Sequence, residues 1–253
     1  MDTVHLVSDS REYDGALVSL ADAATVCAKL RKWFVVGGHM VNLHILRAGL
    51  DRPLRLTRDA DIAVELRMIR RGTILEKLRE LGYRNSVYPN RFDKEVDGLS
   101  ASIDLLVASY STKHQPNIDA DQIVVDGLPA VDDALNRDPV VLHLIGDRTD
   151  GVRMEMTVHL PDIMSAIAMK SFAVAERHYP NDAIDLGHLL EVAGADGQPS
   201  QKWPRGKAYQ VASVQLSAQF DMPGSALALA TASIPQQVRL REITRALTHT
   251  GRS

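Results

Sequence analysis

The twelve residues from Arg55 to Leu66, RLTRDADIAVEL, decide how this chain is read. From Asp59 onward polar and apolar residues alternate, which is the period of a strand with one dry face and one wet face. Successive side chains on a strand point to opposite faces, so Ala60, Ile62 and Val64 face a core. Asp59 and Asp61 then stand together on the other face. Two carboxylates held side by side repel each other unless a cation neutralises them. Hard divalent ions with oxygen ligands, Mg²⁺ above all, are the guests that such a pair takes. A solvated strand face gives the same alternation, so the pair gains meaning only from its neighbours.

Downstream, Ser100–Val107 (SASIDLLV) alternates Ile103, Leu105 and Val107 against Ser102, Asp104 and Leu106. One acid in the middle of an apolar strand is costly unless it is paired or metal-bound, and folding alone favours an apolar residue there. A third acid on a neighbouring strand completes a two-metal site, with ions about 4 Å apart bridging nucleotide phosphates and an attacking hydroxyl. Upstream, WFVVGG (33–38) is a short buried strand closed by Gly37 and Gly38, and HMVNLHILRAGL continues it as a helix ending at Gly49. Bare backbone N–H groups at such a strand-to-helix turn, aided by the helix dipole, can hold a phosphate. His39, His44 and Cys27 read as structural, and Cys27 shares a helix with Ala23 and Leu30.

Around these motifs the chain reads as an ordinary globular protein. It has 253 residues, 45% hydrophobic and 24% charged, with a net charge of -3, which excludes a disordered or fibrous chain. A single cysteine excludes an internal disulfide and a cysteine-rich metal site. No apolar run approaches a membrane span, and the first residues lack a secretory pattern, so a soluble, cytoplasmic protein is expected. Charge is uneven: Arg47–Arg91 carries 11 Lys/Arg against 6 Asp/Glu, and Phe92–Asn136 carries 2 against 9. A basic segment beside an acidic one suits a site that meets both phosphates and cations, as well as two solvated faces.

Strands are expected around 83–88, 91–96, 100–107, 122–127, 139–146 and 152–160, and an amphipathic helix over 66–81 closed by Gly82. After Pro161 the sequence turns to helices rich in Ala, Leu and Met, over roughly 161–178, 183–193, 207–219 and 235–247. An α/β (α+β) domain on a mixed sheet is therefore expected over 1–160, followed by a helical C-terminal domain over 161–253. In the helix from Pro161, Ile163, Ile167, Lys170 and Val174 share one face at offsets of 4, 7 and 11. A lysine in an apolar stripe either snorkels outward or meets a buried anion, such as a nucleotide triphosphate. Asp182 can cap a helix starting at Ala183, with Asp185 in its first turn. Trp203, among Lys202, Arg205 and Lys207, either packs on its own domain or stacks on RNA.

Gly37-Gly38 after a strand, then Arg55-Leu-Thr57-Arg-Asp59-Ala-Asp61 and Ile103-Asp104-Leu105, resemble the signature of the DNA polymerase β-like nucleotidyltransferase superfamily. The resemblance is strongest to the abortive-infection AbiEii-type toxins of type IV toxin–antitoxin pairs, whose acids often follow an R-x-[ST] preface matched by Arg55 and Thr57. A second block, PDIMSAIAMKSFAVAERHYPNDAIDLGHLLE (161–191), is similar to that family's K-x-x-A-…-R-…-[KR]-D-x-x-D-L segment, through Lys170, Arg177, Asp182 and Asp185. Asn181 stands where the family often has a basic residue.

This resemblance implies a Mg²⁺-dependent nucleotidyltransferase, with two ions and with Mn²⁺ as a substitute. Asp59 and Asp61 would hold both metals, and Asp104 would bind the catalytic one and draw the proton from the acceptor hydroxyl. Gly37 and Gly38 would cradle the triphosphate, with Thr57 beside them. Lys170, Arg47 and Arg58 would neutralise its phosphates, and Asp182 and Asp185 would position substrate or help activate the acceptor. It also implies an NTP substrate, the tRNA 3′ end as acceptor, inhibited translation and a cognate antitoxin protein as partner. Two rival readings share these residues. One is an antibiotic nucleotidyltransferase of the aminoglycoside or lincosamide type, with the acidic stretch 92–136 facing a cationic drug. The other is a non-catalytic nucleotide-binding protein.

Overall fold

The computed structural model describes residues 1–197, 203–221 and 225–249. The long strand β6 (Leu99–Ala108) organises the N-terminal half. Its parallel neighbour is β3 (Asp59–Val64), with Asp61 opposite Asp104, and beyond β3 lies β2 (Trp33–Val35). On its other side β6 changes partner along its length. Residues 99–104 pair antiparallel with β5 (Arg91–Val96), the last pair being Asp104 with Arg91. Leu106–Ala108 pair parallel with β8 (Val124–Leu128), which in turn carries β7 (Gln115–Asp119). The sheet thus forks at Asp104. A short β4 (Arg84–Asn85) edges β5, and a separate three-stranded sheet has the order β1 (Asp2–Val7), β9 (Val140–Asp147), β10 (Arg153–Leu160).

Alternation on β3 and β6 sends one set of side chains to each side of the sheet. Ala60, Ile62, Val64, Ile103, Leu105 and Val107 pack with Leu17, Leu20 and Ala24 of α1 (Arg11–Cys27). Gly15 lets α1 come this close, since a Cβ there would collide with the Ser100 carbonyl. On the opposite side Phe34, Ala63 and Leu106 join a second core with Met40 and Ile45 of α2 (Gly37–Arg47) and with Ile163, Ile167 and Leu186 of the helical half. That half consists of α6 (Ile163–Arg177), α7 (Pro180–Ala195), α8 (Lys207–Phe220), α9 (Ser225–Ala230) and α10 (Ile234–His249). Asp59, Asp61 and Asp104 stand on this same second face, partly buried beside that core.

Several expectations change in detail. The helix expected over 66–81 is two helices, α3 (Leu66–Arg70) and α4 (Thr73–Glu80), broken at Gly72, whose φ of 81° is left-handed. The strands β1 and β7 and the helices α5 (Val131–Leu135) and α9 go beyond the sequence expectations, β7, α5 and α9 being short and without a clear period. Helix α7 starts at Pro180, with Tyr179 at its N-cap, so Asp182 lies inside the first turn and does not cap the helix. Trp203 is buried, donates its indole N–H to the Tyr209 carbonyl at 2.6 Å and meets the Tyr209 ring edge-on, which leaves no face for RNA. Its neighbour Lys202 lies outside the described residues. Cys27 is buried in the α1 core, and burial pushes its thiol up to about 12.

His39 and His44, on α2, are fully enclosed. Burial pushes each imidazole down to about 4, although His44 Nε2 bonds the Pro161 carbonyl at 3.1 Å and ties α2 to the start of the helical half. In the unfolded chain both titrate near 6.5, so between that pH and about 4 the unfolded state binds more protons. The stability they contribute is complete above about pH 6.5 and is lost as pH falls through that window. A shift of this size corresponds to about 3 kcal/mol per histidine. The melting temperature of the wild type is therefore expected to fall steeply between pH 6.5 and 4, and His44→Gln to flatten that slope. Equal slopes in the two proteins, followed by circular dichroism, would rule this account out.

Candidate active site

The fork of the sheet, the N-terminus of α2 and one side of α6 enclose a cavity of about 610 Å³. Gly37, Asp61, Arg91, Asp104, Lys170 and Arg177 all line it, together with apolar Met40, Leu106, Met169 and Phe172. Asp61 and Asp104 are adjacent because β3 and β6 run parallel in that register. Asp59, two residues before Asp61, lies on the same face.

The three carboxylates are in one electrostatic system. Burial, then the charges of Asp59 and Asp104, push the Asp61 carboxyl up to about 7, while Lys170 and Arg91 act in the opposite direction. Burial likewise raises Asp104, against the opposing pull of Arg91. Arg91 donates Nε and Nη2 to the two Asp104 oxygens, each at 2.8 Å, and its Nη2 also contacts Asp59 Oδ2. This two-pronged contact raises the Arg91 guanidinium further. Asp61 is different: among the described residues its carboxylate has no hydrogen-bond or ion-pair partner. It is turned towards Gly37, where an added Cβ would collide with it. An acid in an apolar strand burdens the fold unless it is paired. Here Arg91, across the register from Asp104, offsets that burden.

The donor set is all oxygen and carries surplus negative charge, which suits a hard divalent cation. Among the described residues, no three His, Cys, Asp or Glu side chains converge on one point as they stand. Two of the three carboxylates are turned to Arg91 and the third to Gly37.

At the start of α2, Gly37 adopts φ +63°, the left-handed region that suits glycine, and the Gly38 Cα faces Thr57 Oγ1 and the Arg55 guanidinium. The Thr57 hydroxyl is buried and has no hydrogen-bond partner among the described residues. Beyond it lies a second charged cluster. Lys170 Nζ donates to Asp185 Oδ2 at 2.7 Å and to Asp182 Oδ1 at 3.4 Å. Arg55 donates to Asp185 at 2.9 Å, and Arg177 to Asp182 at 2.9 Å. Lys170, Asp182 and Asp185 are buried, and the cluster has three cations to two anions. The anion that Lys170 meets in the apolar stripe of α6 therefore belongs to α7.

Gly37, Gly38, Thr57, Asp59, Asp61, Asp104, Lys170, Asp182 and Asp185 are thus brought into one neighbourhood. Arg47 is not. It is the last residue of α2, ten residues or about 15 Å along the axis from Gly37, and it pairs with Asp2 and Asp196. Arg58 is exposed and does not line the cavity, because strand alternation turns it away from the face of Asp59. Sequence reasoning missed Arg91 as a site residue. Its only signal is its place at the end of a strand, and its partner on β6 is fixed by pairing register, not by a motif.

An Ala in place of Gly37 would have to adopt a left-handed backbone, at a cost of about 1–2 kcal/mol, and its Cβ would push Asp61 aside. If the cavity is catalytic, Gly37→Ala is expected to lower kcat more than about tenfold while the protein stays folded. A kcat within twofold of wild type would show that the Asp61 position is not needed.

No family model and no curated protein matches this chain. Among solved structures it is similar to the antibiotic-resistance factor ANT(2'')-Ia, studied in solution, at 12% identity and a TM-score of 0.42, over 80% of this chain and 91% of that one. It is also similar to a STING-associated CdnE c-di-GMP synthase from Capnocytophaga granulosa, at 10% identity and a TM-score of 0.30, over 94% of this chain and 80% of that one.

Proposed function

We propose that this chain is a divalent-metal-dependent nucleotidyltransferase that moves a nucleoside monophosphate from an NTP to an acceptor hydroxyl and releases pyrophosphate. The observation that carries the reading is the set of three carboxylates on two adjacent parallel strands, with Asp61, which has no hydrogen-bond or ion-pair partner among the described residues, lining one cavity together with Asp104 and with Gly37 at the N-terminus of α2. A structural role does not account for it, since an unpartnered carboxylate at such a place costs stability and contributes nothing to packing.

In this reading Asp59, Asp61 and Asp104 would hold Mg²⁺, as two ions, and Mn²⁺ in its place. When bound, the metal polarises the α-phosphate and lowers the pKa of the attacking hydroxyl. Asp104 accepts the hydroxyl proton, and the backbone N–H groups at Gly37 and Gly38 hold the triphosphate with the Thr57 hydroxyl beside them. Lys170 and Arg55, in the cluster of three cations and two anions, neutralise the phosphates in the in-line displacement. Asp182 and Asp185 hold Lys170, which lines the cavity, and Asp185 also holds Arg55, so they act as positioning residues.

On the likeness of its motifs to the AbiEii-type toxins, the proposed acceptor is the 3′ end of tRNA. The consequence is inhibited translation, with a cognate antitoxin protein as partner. One observation favours a second reading: Asp126 and Glu176 add acids to the cavity wall, and its volume suits a small cationic acceptor such as an aminoglycoside.

The test is transfer from each α-labelled NTP, with Mg²⁺, onto total tRNA or onto a panel of aminoglycosides. Label on tRNA, lost with EDTA and lost in Asp59→Ala, is the expected result. Label on a drug alone favours the second reading, and no transfer to either leaves a nucleotide-binding protein. Asp61→Asn separates catalysis from folding, because it removes one of three repelling charges without orphaning an arginine. It is expected to cost transfer at least about a hundredfold. In metal-free buffer its melting temperature should equal or exceed that of the wild type. Full activity in this variant would remove Asp61 from the metal site.

A further inference from the structure

Arg91 sits where the carboxylate cluster most needs positive charge. Its guanidinium spans from Asp104, through two hydrogen bonds at 2.8 Å, to Asp59. It is fixed from behind as well. The backbone N–H of Arg91 bonds the Tyr88 carbonyl at 3.1 Å, the guanidinium carbon lies 5.6 Å from the centre of the Tyr88 ring, and the Ser86 N–H bonds the Arg91 carbonyl at 2.9 Å. The arginine therefore projects from a tight turn at the point where β5 leaves β6. Its side chain is about one quarter exposed and lines the cavity, so it has room to leave.

The geometry sets the arginine and a metal ion in competition for the same carboxylates. Both oxygens of Asp104 and one of Asp59 are engaged by Arg91, and with those engagements in place no three acids converge on one point among the described residues. A divalent ion placed among Asp59, Asp61 and Asp104 would share the Asp104 oxygens with the guanidinium and would stand within a few ångströms of its positive charge. Asp61 has no such engagement and is free to accept an ion first.

We propose that Arg91 is a resident counter-cation of the carboxylate cluster, which a divalent ion must displace before the site can form, so that Arg91 sets the metal affinity of the protein. This rests on the metal-dependent reading above. Its physical basis is a competition: the arginine stabilises the ion-free fold by pairing with two of the three crowded acids, and it weakens ion binding by engaging their oxygens. The ion-free protein is thereby kept folded and closed to metal until the ion concentration is high enough to win.

The test is a Mn²⁺ titration of the full chain, followed by the electron paramagnetic resonance signal of free Mn²⁺, in wild type, Arg91→Ala, Arg91→Gln and Asp61→Asn. Both Arg91 variants are expected to bind Mn²⁺ at least about tenfold more tightly than the wild type. Arg91→Gln keeps a hydrogen-bond donor, so it serves if Arg91→Ala does not fold without metal. The melting temperatures provide a second readout. Without metal both variants should melt below the wild type, and Mg²⁺ should raise their melting temperatures by more than it raises that of the wild type. If Asp61→Asn loses Mn²⁺ while the Arg91 variants bind with unchanged or weaker affinity, the metal site stands and the counter-cation role is overturned. If none of the four proteins binds Mn²⁺, the metal-dependent reading fails and takes this inference with it.

Discussion

Three like charges held on one face of two adjacent strands are the constraint around which this molecule is arranged. The parallel pairing of β3 with β6 sets Asp61 against Asp104, and strand alternation adds Asp59. No packing arrangement makes such a group stable by itself. The fold answers with charge. Arg91 bridges two of the acids, Lys170 acts on the third from the helical half, and the sheet forks beside them so that part of the cluster faces an open cavity.

The second core explains how the two halves of the chain serve that cluster. Phe34, Met40 and Ile45 share one core with Ile163 and Ile167 of α6 and Leu186 of α7, so both helices are fixed against α2. His44 adds a buried bond to Pro161 at the point where the helical half begins. Lys170 is thereby carried to the cavity on a rigid helix, and Asp182 and Asp185 of α7 hold its ammonium in place. The link from packing to chemistry is short. A shift of α6 against the sheet would move Lys170 and the apolar wall formed by Met169 and Phe172 together.

Elements whose side-chain period is strong were legible from the sequence. The strand at 59–64 and the strand at 99–108 follow from alternation, and the Gly37-Gly38 turn from a short apolar run ending in two glycines. The amphipathic segment 66–81 was legible as helical, but its break at Gly72 was not, because both halves keep the same period. Arg47 shows a different limit. In sequence it is close to the glycine turn, whereas a helix carries it to the far end of α2 and into pairs with Asp2 and Asp196. Counting residues gives nearness along the chain, and a helix converts that into distance.

The sequence by itself determined that two acids share one face of a strand and a third interrupts another, apolar strand, that a glycine turn precedes them, and that a lysine lies in an apolar helical stripe. Local periodicity is enough for each of these, since which face a residue takes depends only on its neighbours in the chain. Tertiary structure alone decided which residues neutralise which. Arg91 meets Asp104 through strand register, Arg55 meets Asp185 across 130 positions, and Lys170 meets α7 through helix packing. Electrostatic partners are chosen by distance in space, and pairing register and helix packing set that distance.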